Sequence, residues 1–323
     1  VLISLLQIIG GFVLLIWSAD RLVAGASACA THFGISPLVI GLVIIGFGTS
    51  APEMVVSAVA ALQGNPGFAV GNALGSNITN VGLVLGVTAI LYPLQVDSQT
   101  LRREIPVLFA IMLLATLLLS DLRLSLGDGL ILLGGLALML LWMIRLSMNS
   151  GQSDLLMTEL QEEIPSDLPL RKAVFWTLLG LVLLPLSSTV LVDGASFVAQ
   201  SLGVSDEIIG LTILAIGTSL PELAAALASA MKNEHELAVG NILGSNMFNL
   251  LGVLGIAATI APLNVSPEIL SRDSVTMFLL TGMLVLFAIR RRGSGVVQRY
   301  HGAALLAVYC GYVYILVRSI LAL

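Results

Sequence analysis

The chain has 323 residues, 57% of them hydrophobic and only 10% charged, with a net charge of −5 and a mean hydropathy of +1.03. A soluble domain carries about 25% charged residues, so this composition excludes one: too little polar surface exists to cover it in water. With no basic patch, a nucleic-acid partner is excluded as well.

A helix needs about 20 apolar residues to cross about 30 Å of hydrocarbon. Runs of that length follow one another at 2–30, 36–62, 69–91, 104–120 and 127–146, then at 173–200, 206–231, 238–260, 273–290 and 300–321. The expected fold is therefore an all-α polytopic membrane protein with ten transmembrane helices, its partner the lipid bilayer. The first run lacks a basic leader and a small-residue cleavage site, so no cleavable signal peptide is expected. Cys29 and Cys310 lie singly in apolar runs, without a CxxC or a secretory disulfide pattern, and are expected as small buried side chains.

The chain is also written twice. A shift of 169 positions carries GTSAPE (48–53) onto GTSLPE (217–222), GNALGSNITN (71–80) onto GNILGSNMFN (240–249), and YPLQV (92–96) onto APLNV (261–265). Gly34, Ser36 and Gly41 meet Gly203, Ser205 and Gly210 in the same register, which runs ungapped from about 34 to about 104. Five helices per copy is an odd number, so the second copy enters the bilayer upside down. The domain plan is a first five-helix repeat at 1–146, a linker at 147–172 and a second, inverted five-helix repeat at 173–323. Inverted repeats of this kind build many secondary transporters, with the site at the repeat interface near the midplane.

Loop charges test that plan. With the N-terminus outside, the cytoplasmic loops hold Arg102, Arg103, Arg145, Arg171, Lys172, Lys232, Arg290, Arg291, Arg292 and Arg299. The outer segments hold Arg123, Arg272 and Arg318. The bias favours an inner (plasma) membrane protein with both termini outside. The linker is acidic, with Asp154, Glu159, Glu162, Glu163 and Asp167, but lacks the alternating carboxylates and central glycine of an EF-hand. It reads as a solvated cytoplasmic connection.

Helices 2 and 7 are expected to be broken. Pro52 has no N–H, so the carbonyl of Gly48 loses its helical partner. In lipid an orphan carbonyl costs several kcal/mol unless something polar satisfies it. Beside it stand the hydroxyls of Thr49 and Ser50 and the carboxylate of Glu53, and the second copy offers Gly217, Thr218, Ser219, Pro221 and Glu222. A charged side chain at a helix centre costs roughly 2.5–3.5 kcal/mol on insertion scales. A purely structural role would need a cationic partner, for which Arg21 is the candidate, though Asp20 beside it neutralises it locally. A cation site is favoured.

Helices 3 and 8 supply further oxygens. Gly71 and Gly75 have the spacing that lets two helix backbones approach. Asn72, Ser76 and Asn80 share one face, as do Asn241, Ser245 and Asn249. Hydrogen bonding between helices accounts for Asn72 and Asn241, whereas Ser76, Asn80, Ser245 and Asn249 are expected as ligands. These are hard donors suited to Na⁺, Ca²⁺, Mg²⁺ or Mn²⁺; zinc or copper would want Cys or His. His32, His235 and His301 fall at span ends, where solvation explains them. Two facing glutamates are neutralised by one divalent ion or by two or more monovalent ions, so the two ion types compete for one set of oxygens.

The paired motifs GTSAPE with GNALGSNITN and GTSLPE with GNILGSNMFN resemble the α-repeats of the calcium/cation antiporter superfamily, and most nearly its prokaryotic sodium/calcium exchanger branch. The resemblance implies Glu53 and Glu222 as central Ca²⁺ ligands, completed by backbone oxygens of Thr49 and Thr218. It implies Na⁺ coordination by Ser50, Ser76, Asn80, Ser219, Ser245 and Asn249 with the Ala215 carbonyl, and sliding of helices 1 and 6 across a rigid bundle. Some members carry Asp where this chain has Asn249, so this site has two carboxylates only.

The expected function is a secondary antiporter exchanging Ca²⁺ for Na⁺ by alternating access, with no resident cofactor and no enzymatic activity. A proton-coupled Ca²⁺ exchanger is the alternative, and a cation channel could use the same oxygens. An intramembrane enzyme is disfavoured, since neither HExxH nor GxSxG occurs. The sequence sets no oligomeric state.

Overall fold

The computed structural model describes residues 2–33, 46–96, 99–149, 168–288 and 295–321. The start of the predicted span 36–62, the repeat positions Gly34, Ser36 and Gly41, and residues 150–167 of the linker lie outside the described residues.

The first half opens with α1 (Leu2–His32), then α2 (Gly46–Thr49) and α3 (Ala51–Leu62). A long α4 (Pro66–Leu91), the short strand β1 (Leu94–Val96) and α5 (Gln99–Leu118) follow. Strand β2 (Arg123–Leu124) leads to α6 (Leu126–Asn149). The second half runs α7 (Leu170–Leu202), α8 (Asp206–Ile209), α9 (Ala215–Thr218), α10 (Leu220–Met231) and α11 (His235–Ile260), then β3 (Leu263–Asn264), α12 (Ile269–Ala288), β4 (Gly295–Val297) and α13 (Arg299–Leu321). Local chemistry marks several ends. Gly203, at φ 64°, caps α7 in the left-handed conformation, and the Ser205 side chain accepts the Ile208 N–H to start α8.

Eight helical stretches among the described residues are long and apolar enough to cross a membrane. The remaining two expected spans correspond to shorter apolar helices at Ala51–Leu62 and Glu104–Leu118. The centre is formed by α4 and α11, whose most apolar windows are 78% and 83% buried, against 33% and 28% for α1 and α7. Phe68, Leu74 and Ile78 of α4 and Phe248 of α11 are sealed from solvent.

The outer helices α1 and α7 run antiparallel along a seam of glycines. A Cβ added at Gly11 would lie 3.0 Å from Leu191 Cβ, and one at Gly180 would lie 2.7 Å from Leu22 Cβ. Further along, a Cβ at Gly25 would sit 2.6 Å from Thr177 N, and one at Gly194 would sit 2.9 Å from Ser4 O. Each contact reappears when shifted by 169 residues. Only glycine permits backbones this close in a membrane, where packing replaces the hydrophobic drive. Two small ribbons tie the halves together at their loops: β1 pairs antiparallel with β4 (Leu94 opposite Val297), and β2 with β3 (Arg123 opposite Asn264).

The cysteines depart from expectation. Cys29 is half-buried and Cys310 is exposed on the outward face of α13. Lipid is as apolar as a protein core, so in a peripheral helix an apolar side chain carries no signal of which way it faces.

Candidate cation site

Both central breaks form as the sequence dictates. Between α2 and α3 the chain turns at Ser50 (φ −90°, ψ 2°), and between α9 and α10 it turns at Ser219 (φ −84°, ψ 3°). Pro52 and Pro221 sit in the first turn of the following helix, where a missing N–H is tolerated, yet neither can serve the carbonyl four residues back. Helix α1 covers both breaks. A Cβ at Gly48 would overlap Val23, and one at Gly217 would overlap the Phe12 ring.

Facing the breaks, α4 and α11 each loosen into a π-helical turn, at Asn80–Leu85 and Asn249–Val253. The turn begins in each copy at the expected ligand asparagine. A π-turn widens the helix by one residue and is frequent at functional sites. Helix α10 packs on the turn at Asn80, and α3 packs on the turn at Asn249.

The structure brings the expected ligands into this crossing and buries them. Ser50, Glu53, Ser76, Asn80, Thr218, Ser219, Glu222, Ser245 and Asn249 are all at most 1% exposed, and Ala215 is buried with them. Thr49 is half-buried. Asn72 and Asn241 bond between helices: Thr218 Oγ1 donates to Asn72 Oδ1 at 3.1 Å, and Thr49 Oγ1 donates to Asn241 Oδ1 at 3.5 Å. Asn72 Nδ2 in turn reaches Ser57 Oγ at 3.2 Å and the Glu53 carbonyl at 3.4 Å. The Ala215 carbonyl accepts the Ser219 N–H at 3.2 Å, which leaves its second lone pair for another partner.

The two halves of the site are bonded differently. Ser245 Oγ accepts from Ser50 Oγ at 3.1 Å and from Asn80 Nδ2 at 3.3 Å, and donates to Glu222 Oε1 at 3.1 Å. Its equivalent Ser76 lies 3.5 Å from Thr218 Oγ1. Six buried oxygens receive no hydrogen bond from the described residues: both of Glu53, Oε2 of Glu222, Oδ1 of Asn80 and of Asn249, and Oγ of Ser219. A buried unpaired carboxylate is among the most expensive groups a fold can hold.

Among the described residues no cationic side chain pairs with either glutamate. Arg21 lies 3.8 Å from Asp20, its guanidinium over Trp17 and Trp176, and Arg272 is bidentate to Asp273. No three His, Cys, Asp or Glu side chains come together among the described residues, so neutral oxygens must supplement the two acids. The donor set is all oxygen, fitting a hard cation. Sequence reading missed Asn77, Asn246 and Ser57. The GSN triplet repeated in both copies was the available signal for the two asparagines.

A family model described as sodium/calcium exchanger protein matches residues 3–145 and 172–318. The chain belongs to that family. This sodium/calcium exchanger family member is 48% identical over 318 residues to the putative antiporter CaxA of Alkalimonas amylolytica, covering 98% of this chain and 100% of that one. It is 41% identical over 302 residues to the inner membrane protein YrbG of Escherichia coli K12, covering 91% and 93%. Among solved structures it resembles the sodium-calcium exchanger NCX_Mj soaked with 10 mM Na⁺ and 10 mM Sr²⁺, at 32% identity and a TM-score of 0.66, covering 97% and 98%.

Proposed function

We propose that this protein is a secondary antiporter that exchanges Ca²⁺ for Na⁺ across the inner membrane by alternating access. The observation that carries the reading is the set of unbonded buried oxygens on Glu53, Glu222, Asn80, Asn249 and Ser219, which no cationic side chain of the described residues neutralises. In this scheme Glu53 and Glu222, with backbone oxygens of Thr49 and Thr218, hold Ca²⁺. Ser50, Ser76, Asn80, Ser219, Ser245, Asn249 and the Ala215 carbonyl hold Na⁺. Two carboxylates are neutralised by one Ca²⁺ or by two or more Na⁺, so either cargo displaces the other. Kinship with exchangers of sodium and calcium supports that choice of ions.

The proposed architecture has ten transmembrane helices in two inverted repeats, 1–146 and 173–323, joined by a cytoplasmic linker at 147–172, with both termini outside. Contacts that recur under the 169-residue shift support it: the glycine seam, the two ribbons and the two π-turns. The seam makes α1 and α7 one body lying over both breaks, and sliding of that body would expose the site to each side in turn.

The test is ⁴⁵Ca²⁺ uptake into proteoliposomes under an imposed Na⁺ or pH gradient. Uptake driven by outward Na⁺ is expected. Uptake driven by a pH gradient alone, without Na⁺, would replace sodium by protons as the coupling ion. Uptake that neither saturates nor needs a counter-ion would mean a channel.

A further inference from the structure

An asparagine can ligate a cation only through Oδ1; turned over, it presents the positive end of its amide dipole. Something must therefore decide which way Asn80 points. Its Nδ2 donates to Asn246 Oδ1 at 3.0 Å and to Ser245 Oγ at 3.3 Å. Both amide hydrogens are thereby placed, and Oδ1 is left buried without a partner. Asn246 is itself 1% exposed and lies on α11, in the other half of the chain from Asn80.

We infer that Asn246 is a positioning residue of the cation site, an acceptor that holds the Asn80 amide with its oxygen toward the ion. It ligates nothing itself. Ser245 cannot do this alone, because its oxygen also accepts from Ser50 and its proton is committed to Glu222. The second copy shows what happens without the clasp. Asn77, the counterpart of Asn246, turns its Nδ2 to the Ala73 carbonyl at 3.2 Å. Asn249, the counterpart of Asn80, has no hydrogen bond from the described residues at either amide atom.

This inference rests on the antiporter reading, and a double-mutant cycle read by equilibrium ²²Na⁺ and ⁴⁵Ca²⁺ binding to the purified full chain tests it. Asn246→Leu keeps the volume and removes the acceptor. It should raise the Na⁺ half-saturation about three- to tenfold, the span of one net hydrogen bond, with a smaller change for Ca²⁺. In an Asn80→Ala background the same substitution should change Na⁺ binding less than twofold, because the amide it orients is gone. Additive losses in the double variant would overturn the inference, since they would mean that Asn246 ligates or packs independently. If Asn246→Leu does not fold, Asn246→Ser gives a smaller lesion to which the same cycle applies. A wild type that binds Ca²⁺ without Na⁺ competition would sink the sodium assignment instead; the cycle is then read on ⁴⁵Ca²⁺, where additivity again decides.

Discussion

Ser245 Oγ donates to Glu222 Oε1 at 3.1 Å, while Glu53, the same residue in the other copy, receives no hydrogen bond from the described residues on either carboxylate oxygen. Two identical motifs thus hold their acids differently. The Glu222 side is partly satisfied by the protein, and the Glu53 side waits for a cation. In an alternating-access transporter built from inverted repeats, such inequality is what one state should look like, with the roles exchanged in the other.

Glu53→Gln and Glu222→Gln are each expected to abolish Ca²⁺ transport while leaving folded protein in the membrane. Glutamine keeps the size and one oxygen but removes half the negative charge facing a divalent ion. Losing an unpaired buried carboxylate should also raise the melting temperature of the cation-free protein. The further rise that Ca²⁺ gives to wild type should disappear. Thermal melts with Ca²⁺ and with chelator read both effects. A variant still stabilised by Ca²⁺ and still transporting it would remove that glutamate from the site.

The neutral oxygens should divide from the acids. Ser76→Ala, Asn80→Ala, Ser245→Ala and Asn249→Ala are expected to raise the half-saturation for Na⁺ more than for Ca²⁺, because Ca²⁺ leans on the charged pair. Ser245→Ala has an additional consequence: it frees Glu222 Oε1 of its donor, so its Ca²⁺ affinity should fall less than that of the other three. Equal shifts for both ions across the set would argue against separate duties.

Close packing at the breaks gives a third test. A Cβ at Gly217 would overlap the Phe12 ring, so Gly217→Ala must push α1 away from the break. Overpacking costs about 1–3 kcal/mol, and exchange should slow with it. Phe12→Ala, combined with Gly217→Ala, should recover much of the rate and the stability. No recovery in the double variant would mean that the glycine is needed for the break itself and not for the helix lying over it.

Much of this was legible because the chain repeats itself. Proline following GTS in an apolar span announces a break twice over, and the four-residue spacing of Asn72, Ser76 and Asn80 announces a polar face. The π-turns were not legible, since i→i+5 bonding in an apolar helix depends on packing from neighbours that no local pattern encodes. Nor was the asymmetry between Ser76 and Ser245, because identical letters cannot reveal which copy has closed its hydrogen bonds. Asn77 and Asn246 escaped because they stand one residue off the expected face. Arg21 was weighed as a partner for a buried glutamate and is instead beside Asp20, between two tryptophans.

The last prediction concerns Asn249, whose amide oxygen and nitrogen are both buried without a hydrogen bond from the described residues. Asn249→Asp adds a third carboxylate at the start of the α11 π-turn. An extra acid this deep is costly when ionised, so it takes up a proton unless a cation neutralises it. In wild type, Na⁺ should drive Ca²⁺ exchange, with protons acting as competitors at Glu53 and Glu222. In the variant, exchange should persist but fail on acidification at a higher pH, because one more group competes for protons. Na⁺-driven Ca²⁺ flux measured against pH for both proteins makes the comparison, repeated with a pH gradient and no Na⁺. Robust wild-type exchange under the pH gradient alone would move the coupling from sodium to protons. A variant with the wild-type pH profile would place residue 249 outside the ion path, and the unbonded amide would then need another explanation.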